Sequence, residues 1–315
     1  MNGQISIKAF GKINIGLEIG YPLLDGYHPI RSIFHSLEIF DTLTLEKSTD
    51  DAILVEGSFD CPMETTTIYK AADLFKRVTG AKGGIKLAVK KEIPAMAGLG
   101  GGSVDAAATL VALDALYDTH LDKAQLGAMA TQIGSDVSFF LDGGAAIVSG
   151  RGEIIKPIAP RNDFGIVLVW PGFGISTAWA YATLDSWRAK ATLHEESARK
   201  LLGSSGPDLR WADKMESRFR LSPKKWEFRN SFDEMLYNAH PVYHSIEMAL
   251  RETGADFVSI TGSGSCMYGI YSSNDEARGA EGKLKAAIQK RNAEKTLYGM
   301  ALRAIKPLET SLLLG

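Results

Sequence analysis

Between Pro94 and Leu110 the chain reads PAMAGLGGGSVDAAATL, with four glycines among the five residues from Gly98 to Gly102 and an alanine-rich helical pattern directly behind them. Few folds tolerate so much bare backbone. Each glycine held in ordered structure costs roughly 0.5–1 kcal/mol relative to alanine. A run of them therefore implies a sharp turn, close packing of a helix on a sheet, or a ligand approaching the main chain. A helix N-terminus immediately downstream offers unpaired N–H groups and a positive dipole, which suits an anion. Ser103 adds a hydroxyl that can cap the helix or touch a phosphate or a metal.

Two familiar phosphate loops do not fit. A dinucleotide fingerprint begins at a strand end and is followed about 20 residues on by an acidic residue closing a second strand. Here Lys91 to Ala97 intervene after the strand, and Asp118 and Asp122 flank helices. A P-loop needs lysine just before the hydroxyl residue, where this chain has Gly102. The cradle is of another kind, built from the amides of Gly98 to Gly102, the helix dipole and Ser103, and its cation must come from elsewhere.

The 35 basic and 37 acidic residues leave a net charge of −2, without the broad positive surface of a nucleic-acid binder. Phosphate recognition is then local. No apolar run reaches the ~18 residues of a membrane span, and the N-terminal stretch, interrupted by Lys8 and Lys12, lacks the apolar centre of a signal peptide. Cys61 and Cys266 form no CxxC or metal-ligand pattern; a reducing cytoplasm and two buried thiols are expected.

At 315 residues the prior is two domains of about 150 residues each, with a break near Pro157 to Pro160: residues 1–160 and 161–315. Apolar residues at odd positions from Ile5 to Ile19 predict a strand, whose other face carries Lys12 and Asn14 side by side. Strand patterns recur after Ile30, at 85–89, 145–148, 164–170, 257–260, 267–271 and 302–305. Helical spacing marks 68–80, 103–117, 122–133, 177–187, 230–238, 241–252 and 274–290. Residues 188–229 show only fragments of periodicity and read as an insertion. The fold class is α+β.

Three motifs stand in order: Gly11-Lys12-Ile13-Asn14, Pro94 to Ala107, and Ile260-Thr261-Gly262-Ser263-Gly264-Ser265. Together they resemble the GHMP small-molecule kinase superfamily across nearly the whole chain. Asp25-Gly26-Tyr27-His28, with Ile133-Gly134-Ser135-Asp136-Val137 and Phe139-Phe140, is most similar to its 4-diphosphocytidyl-2-C-methyl-D-erythritol kinase family. That resemblance implies a two-domain fold, with an N-terminal domain like ribosomal protein S5 and a ferredoxin-like C-terminal domain. It also implies magnesium ATP as phosphoryl donor, and as acceptor the 2-hydroxyl of a cytidylylated methylerythritol in the non-mevalonate route to isoprenoids.

Carried over by position, the resemblance makes Asp136 the general base and Lys12 the cation that keeps it ionised. Pro94, Gly98, Leu99, Gly100, Gly101, Gly102 and Ser103 would hold ATP, with Ser103 the candidate metal contact. Tyr27 and Tyr181 would sandwich cytosine, His28 would hydrogen-bond it, and Asn14 with Gly262, Ser263, Gly264 and Ser265 would complete the substrate side. The expected partner is a small molecule with a cytidine diphosphate moiety, bound by a cytoplasmic monomer or homodimer. Taken alone, Asp136 also reads as a helix N-cap and each tyrosine as a ring at a domain boundary. Ser138, Val104 and Met96-Ala97 depart from the family pattern, and the segment between Tyr181 and Asn230 is longer. Other acceptors (homoserine, mevalonate, a sugar) and a non-catalytic nucleotide-binding paralogue are the rival readings.

Overall fold

The alternation from Ile5 to Ile19 forms β1 (Gln4–Ile19), antiparallel to the 19-residue β2 (Ile30–Ser48). Register shifts between Phe10 and Lys12 and between Ile15 and Leu17 bracket the stretch that carries Lys12 and Asn14; bulges of this kind re-aim side chains and recur beside active sites. The computed structural model describes residues 3–59, 61–190, 209–292 and 300–314.

The first sheet continues with β3 (Ile53–Glu56) parallel to β4 (Gly84–Lys90), and with β5 (Ala145–Ser149) and β6 (Ile154–Ile158). Its strand order is β11-β1-β2-β4-β3, where β11 is Leu312–Leu314, with β5 on the other half of β2 and β6 beyond it. On it lie α1 (Thr67–Thr79), capped by Thr66 and ended by Gly80 at φ 69°, and α2 (Gly101–Tyr117). α3 (Lys123–Ile133) starts with an Asp122/Gln125 capping box, and α4 (Val137–Asp142) follows. Ala106, Ala107, Ala108 and Leu110 are fully buried. An apolar helix with small residues can pack this closely on a sheet.

The second sheet has the order β10-β7-β9-β8, all antiparallel: β7 (Gly165–Trp170), β8 (Phe257–Ile260), β9 (Met267–Tyr271) and β10 (Ala301–Ile305). α5 (Thr177–Lys190) meets α7 (Asp233–Ala239), α6 (Leu209–Phe219) touches β5 of the first sheet, and α8 (Val242–Glu252) and α9 (Asn274–Asn292) pack on the second. The chain then returns: β11 (Leu312–Leu314) pairs with Ile7–Ala9 of β1 in the first sheet. That strand departs from a division in which all of 161–315 belongs to the second half.

Part of the expected insertion, 191–208, lies outside the described residues. The remainder is packed structure. Trp226 is 7% exposed and touches Phe164, Phe219, Phe228 and Phe257 at ring distances of 5.5–5.8 Å. The Arg161 guanidinium lies 5.7 Å from the Trp226 ring and donates to the carbonyls of Phe219 and Leu221. Polar composition hid this cluster, because its aromatic residues are spread over four segments. Cys266 is buried as expected; Cys61 is exposed.

Trp226→Ala should destabilise the protein by about 3–5 kcal/mol, the usual cost of truncating a buried large aromatic. Urea unfolding of the two proteins measures it. A loss below 1 kcal/mol would mean that the 209–229 segment is not part of the cooperative core.

Candidate active site

Four segments meet at the edge of β1 that β2 does not use. Backbone N–H groups of Phe10, Lys12 and Leu17 donate to the carbonyls of Ser311, Leu99 and Arg229 at 2.8–2.9 Å. Those of Asn14 and Ile19 donate to the hydroxyls of Thr261 and Ser231. The glycine loop and the β8–β9 loop are thereby fixed side by side above Lys12. Between them opens a cleft of about 530 Å³, of the size that small-molecule sites occupy.

Lys12 is only 3% exposed. Its Nζ donates to Asn14 Oδ1 (2.5 Å) and the Gly98 carbonyl (3.1 Å), lies 3.6 Å from Asp136 Oδ2, and sits 4.7 Å over the Phe34 ring. Burial pulls its pKa below the ordinary lysine value, against the opposing charge of Asp136. Asn14 uses its amide for alignment: Oδ1 accepts from Lys12 while Nδ2 donates to Ser32 (3.0 Å). It lines the cleft, but both ends of its amide are engaged within the protein.

Asp136 precedes α4, yet its side chain makes no capping bond. The carboxylate is 30% exposed and faces the cleft with Lys12. Tyr181, on α5, lines the same cleft; burial and then the Asp136 charge push its hydroxyl pKa up. A carboxylate beside a buried ammonium, open to a cavity, is equipped to accept a proton from a bound hydroxyl.

The glycines divide into two kinds. Gly98 and Gly100 have φ of 74° and 76°, and a Cβ would lie 2.0 Å from the Thr261 carbonyl oxygen or 2.5 Å from the Phe140 ring. The protein's own packing demands them. Gly101 and Gly102 have no such φ, and a Cβ would come no closer than 3.2 Å to Ile93 and 3.3 Å to Thr67. Their bareness leaves room in the cleft. The first backbone bond of α2 runs from Val104 N–H to the Gly100 carbonyl, so the amides of Gly101, Gly102 and Ser103 carry the helix's unpaired donors. Pro94 and Leu99 also line the cleft.

The cation missing from the loop stands beside it. Lys91 Nζ lies 3.5 Å from the place a Cβ on Gly101 would occupy, held by Asp41 (2.5 Å) and Asp105 (2.6 Å). Burial alone would lower its pKa, but the two carboxylates overcome this and raise it. Burial also raises Asp105. Lys91 and Asp105 escaped the sequence reading: a strand-end lysine resembles a solvated one, and Asp105 sits in a helix that reads as apolar.

Of the β8–β9 loop, Gly262 and Ser263 line the cleft. Gly264 and Ser265 brace it from outside: Gly264 has φ 89° against Tyr243, and Ser265, fully buried, donates to the Phe173 carbonyl. Tyr27 and His28 lie beyond the cleft lining, past Tyr181. The His28 and Tyr181 rings are 4.9 Å apart, and Tyr27, 57% exposed, carries the Arg151 guanidinium over its ring. The departures are absorbed locally. Val104 is buried, Ser138 pairs with Thr131 at 3.1 Å, and the Met96 carbonyl accepts from Ile175 and Ser265.

Residues 66–144 match the GHMP kinases N terminal domain. The 4-diphosphocytidyl-2-C-methyl-D-erythritol kinase of Treponema pallidum is 35% identical over 278 residues, covering 88% of this chain and 93% of the relative. That of Thermodesulfovibrio yellowstonii is 35% identical over 277 residues, with coverage of 88% and 93%. The chain belongs to the 4-diphosphocytidyl-2-C-methyl-D-erythritol kinase family. A crystal structure of 4-(cytidine 5'-diphospho)-2C-methyl-D-erythritol kinase superposes with a TM-score of 0.73 at 28% identity, covering 96% of this chain and 98% of that one. A homoserine kinase from Cytophaga hutchinsonii gives 0.75 at 14% identity, covering 100% and 98%. The two-domain GHMP kinase fold is thus common to both, and sequence identity separates them. No helix among the described residues is long and apolar enough to cross a membrane.

Gly102→Val should fold normally, since its Cβ meets only Thr67, but should weaken ATP binding by at least about tenfold, or 1.4 kcal/mol. Calorimetric titration and the thermal midpoint test this; unchanged affinity would remove the loop from phosphate binding. Lys12→Met should abolish turnover without lowering the thermal midpoint. The unfolded chain holds the Lys12 proton to higher pH than the folded one, so stability rises with pH between the two pKa values. Any deficit of the parent protein against the variant should accordingly narrow as pH rises toward 10.5.

Proposed function

We propose that the protein transfers the γ-phosphoryl group of ATP to the 2-hydroxyl of 4-diphosphocytidyl-2-C-methyl-D-erythritol. The observation that carries this reading is the Asp136–Lys12 pair at 3.6 Å, opening onto the same cleft as the unpaired amides of α2. Membership of the family supports the acceptor, as do Tyr27, His28 and Tyr181 at one end of the site.

Phosphoryl transfer needs little covalent help from a protein; positioning and charge stabilisation dominate. The amides of Gly101, Gly102 and Ser103 bind phosphate oxygens at the positive end of α2. Lys91, its charge matched by Asp41 and Asp105, places an ammonium next to them. Asp136 takes the proton of the acceptor hydroxyl as its oxygen bonds to the γ-phosphorus and the bond to the β-phosphate oxygen breaks, releasing ADP. Lys12, 3.6 Å from that carboxylate, balances the charge that develops during the step.

The oxygen donors available suit magnesium, which draws most ligands from nucleotide phosphates and water and needs one or two from the protein. Ser103 Oγ, at the start of α2, is the group that would hold it, and among the described residues no cluster of three or more acidic, histidine or cysteine side chains offers a dedicated cage. Bound with ATP, the ion would neutralise phosphate charge.

ADP release from magnesium ATP, compared across the cytidylylated acceptor, homoserine, mevalonate and no acceptor, tests the proposal. Release that depends on the cytidylylated acceptor is expected; release with homoserine or mevalonate instead would overturn the acceptor assignment. Asp136→Asn should lower turnover by about 10²–10⁴ with ATP affinity retained, and unchanged turnover would remove Asp136 from its role.

A further inference from the structure

Helix α5 carries Tyr181 and, one turn on, Asp185, a spacing that places both on one face. His28 meets that face twice. Its ring lies 4.9 Å from the Tyr181 ring, and its Nε2 is 2.9 Å from Asp185 Oδ1. The imidazole is 6% exposed and the carboxylate 38%. The helix itself is pinned to the end of β1, because Arg188 donates to the carbonyls of Ile19 (2.8 Å) and Gly20 (3.1 Å). Among the described residues, Nδ1 of His28 makes no hydrogen bond.

We propose that Asp185 is a positioning residue that sets base selectivity, by holding His28 in the tautomer whose Nδ1 accepts a hydrogen bond. This rests on the reading of His28 as the residue facing the acceptor's base. A carboxylate only accepts, so Nε2 must carry the proton, and a neutral imidazole then presents a lone pair at Nδ1. That lone pair suits an exocyclic amine, the donor at position 4 of cytosine. Uracil has a carbonyl there, and two acceptors face to face repel. Aromatic stacking cannot make this distinction, since every base offers a π-face. A site built to bond a polar group rejects an analogue lacking it far more strongly than a pocket of matching shape does.

The test compares the cytidine acceptor with its uridine counterpart in the parent protein and in Asp185→Asn, whose side-chain amide can donate or accept and so releases the lock. The cytidine-over-uridine ratio of kcat/KM should fall at least about tenfold, with the change carried by the acceptor KM. Asp185→Glu, which keeps a carboxylate, should recover part of the ratio. Nitrogen-15 spectra of the imidazole, assigned through His28→Gln, should show the proton on Nε2 in the parent and both tautomers in Asp185→Asn. An unaltered ratio in Asp185→Asn and Asp185→Ser variants of parental thermal midpoint would overturn the proposal, as would a parent spectrum with the proton on Nδ1. Failure of the underlying reading looks different: the parent protein would then release no ADP with the cytidine acceptor at all.

Discussion

The edge of β1 beyond its short pairing with β11 is the constraint on which the rest of the molecule depends. An unpaired strand edge invites aggregation unless its N–H groups find partners. Here they are satisfied in sequence by Ser311, Leu99, Thr261, Arg229 and Ser231, drawn from both halves of the chain. Donors on one edge recur every second residue, which serves Phe10, Lys12 and Asn14. The bulge after Ile15 then changes the parity, so that Leu17 and Ile19 continue the series. One strand therefore indexes the glycine loop, the β8–β9 loop and the start of α7 against each other. The cleft between the loops exists because the backbone hydrogen bonds beneath it must be made.

The same seam explains the buried ammonium. Lys12 faces a wall where Gly98 and Thr261 already touch, and the Gly98 carbonyl accepts both from Lys12 Nζ and from the Thr261 hydroxyl. Replacing Gly98 would drive a Cβ into the Thr261 carbonyl and separate the two loops before any ligand was affected. Gly101 and Gly102 carry no comparable structural demand. A dense glycine run thus conflates two requirements, backbone geometry and free space, which only the three-dimensional contacts separate.

Much of the fold was legible because periodicity reports burial. β1, α1, α2, α3, β7 and α9 follow their patterns closely, and Lys12 with Asn14 shares a face because no bulge falls between them. What was not legible has physical reasons. α4 is too short for helical spacing, and the terminal strand β11 is assigned by its pairing with β1 rather than by any pattern of its own. The aromatic core around Trp226 is assembled from distant segments. Lys91 takes its character from Asp41 and Asp105, 50 and 14 residues away. Asp185 did have a signal: it follows Tyr181 by one helical turn, so anything packed on that ring lies within reach of the carboxylate.

Selectivity among acceptors cannot reside in the backbone fold, since a homoserine kinase shares it at 14% identity. The half proposed for phosphoryl transfer is built on β1 and α2, whose positions the sheet edge dictates. The half proposed for the acceptor is built on the turn at Asp25–His28, which connects β1 to β2, and on α5, which Arg188 ties to the end of β1. Among the described residues, none of the side chains there takes part in the hydrogen bonds that hold Lys12 and the glycine loop. A fold organised in this way can change acceptors by exchanging a few side chains on one helix face while its chemistry stays fixed, and the role proposed for Asp185 beside Tyr181 and His28 is an exchange of that kind.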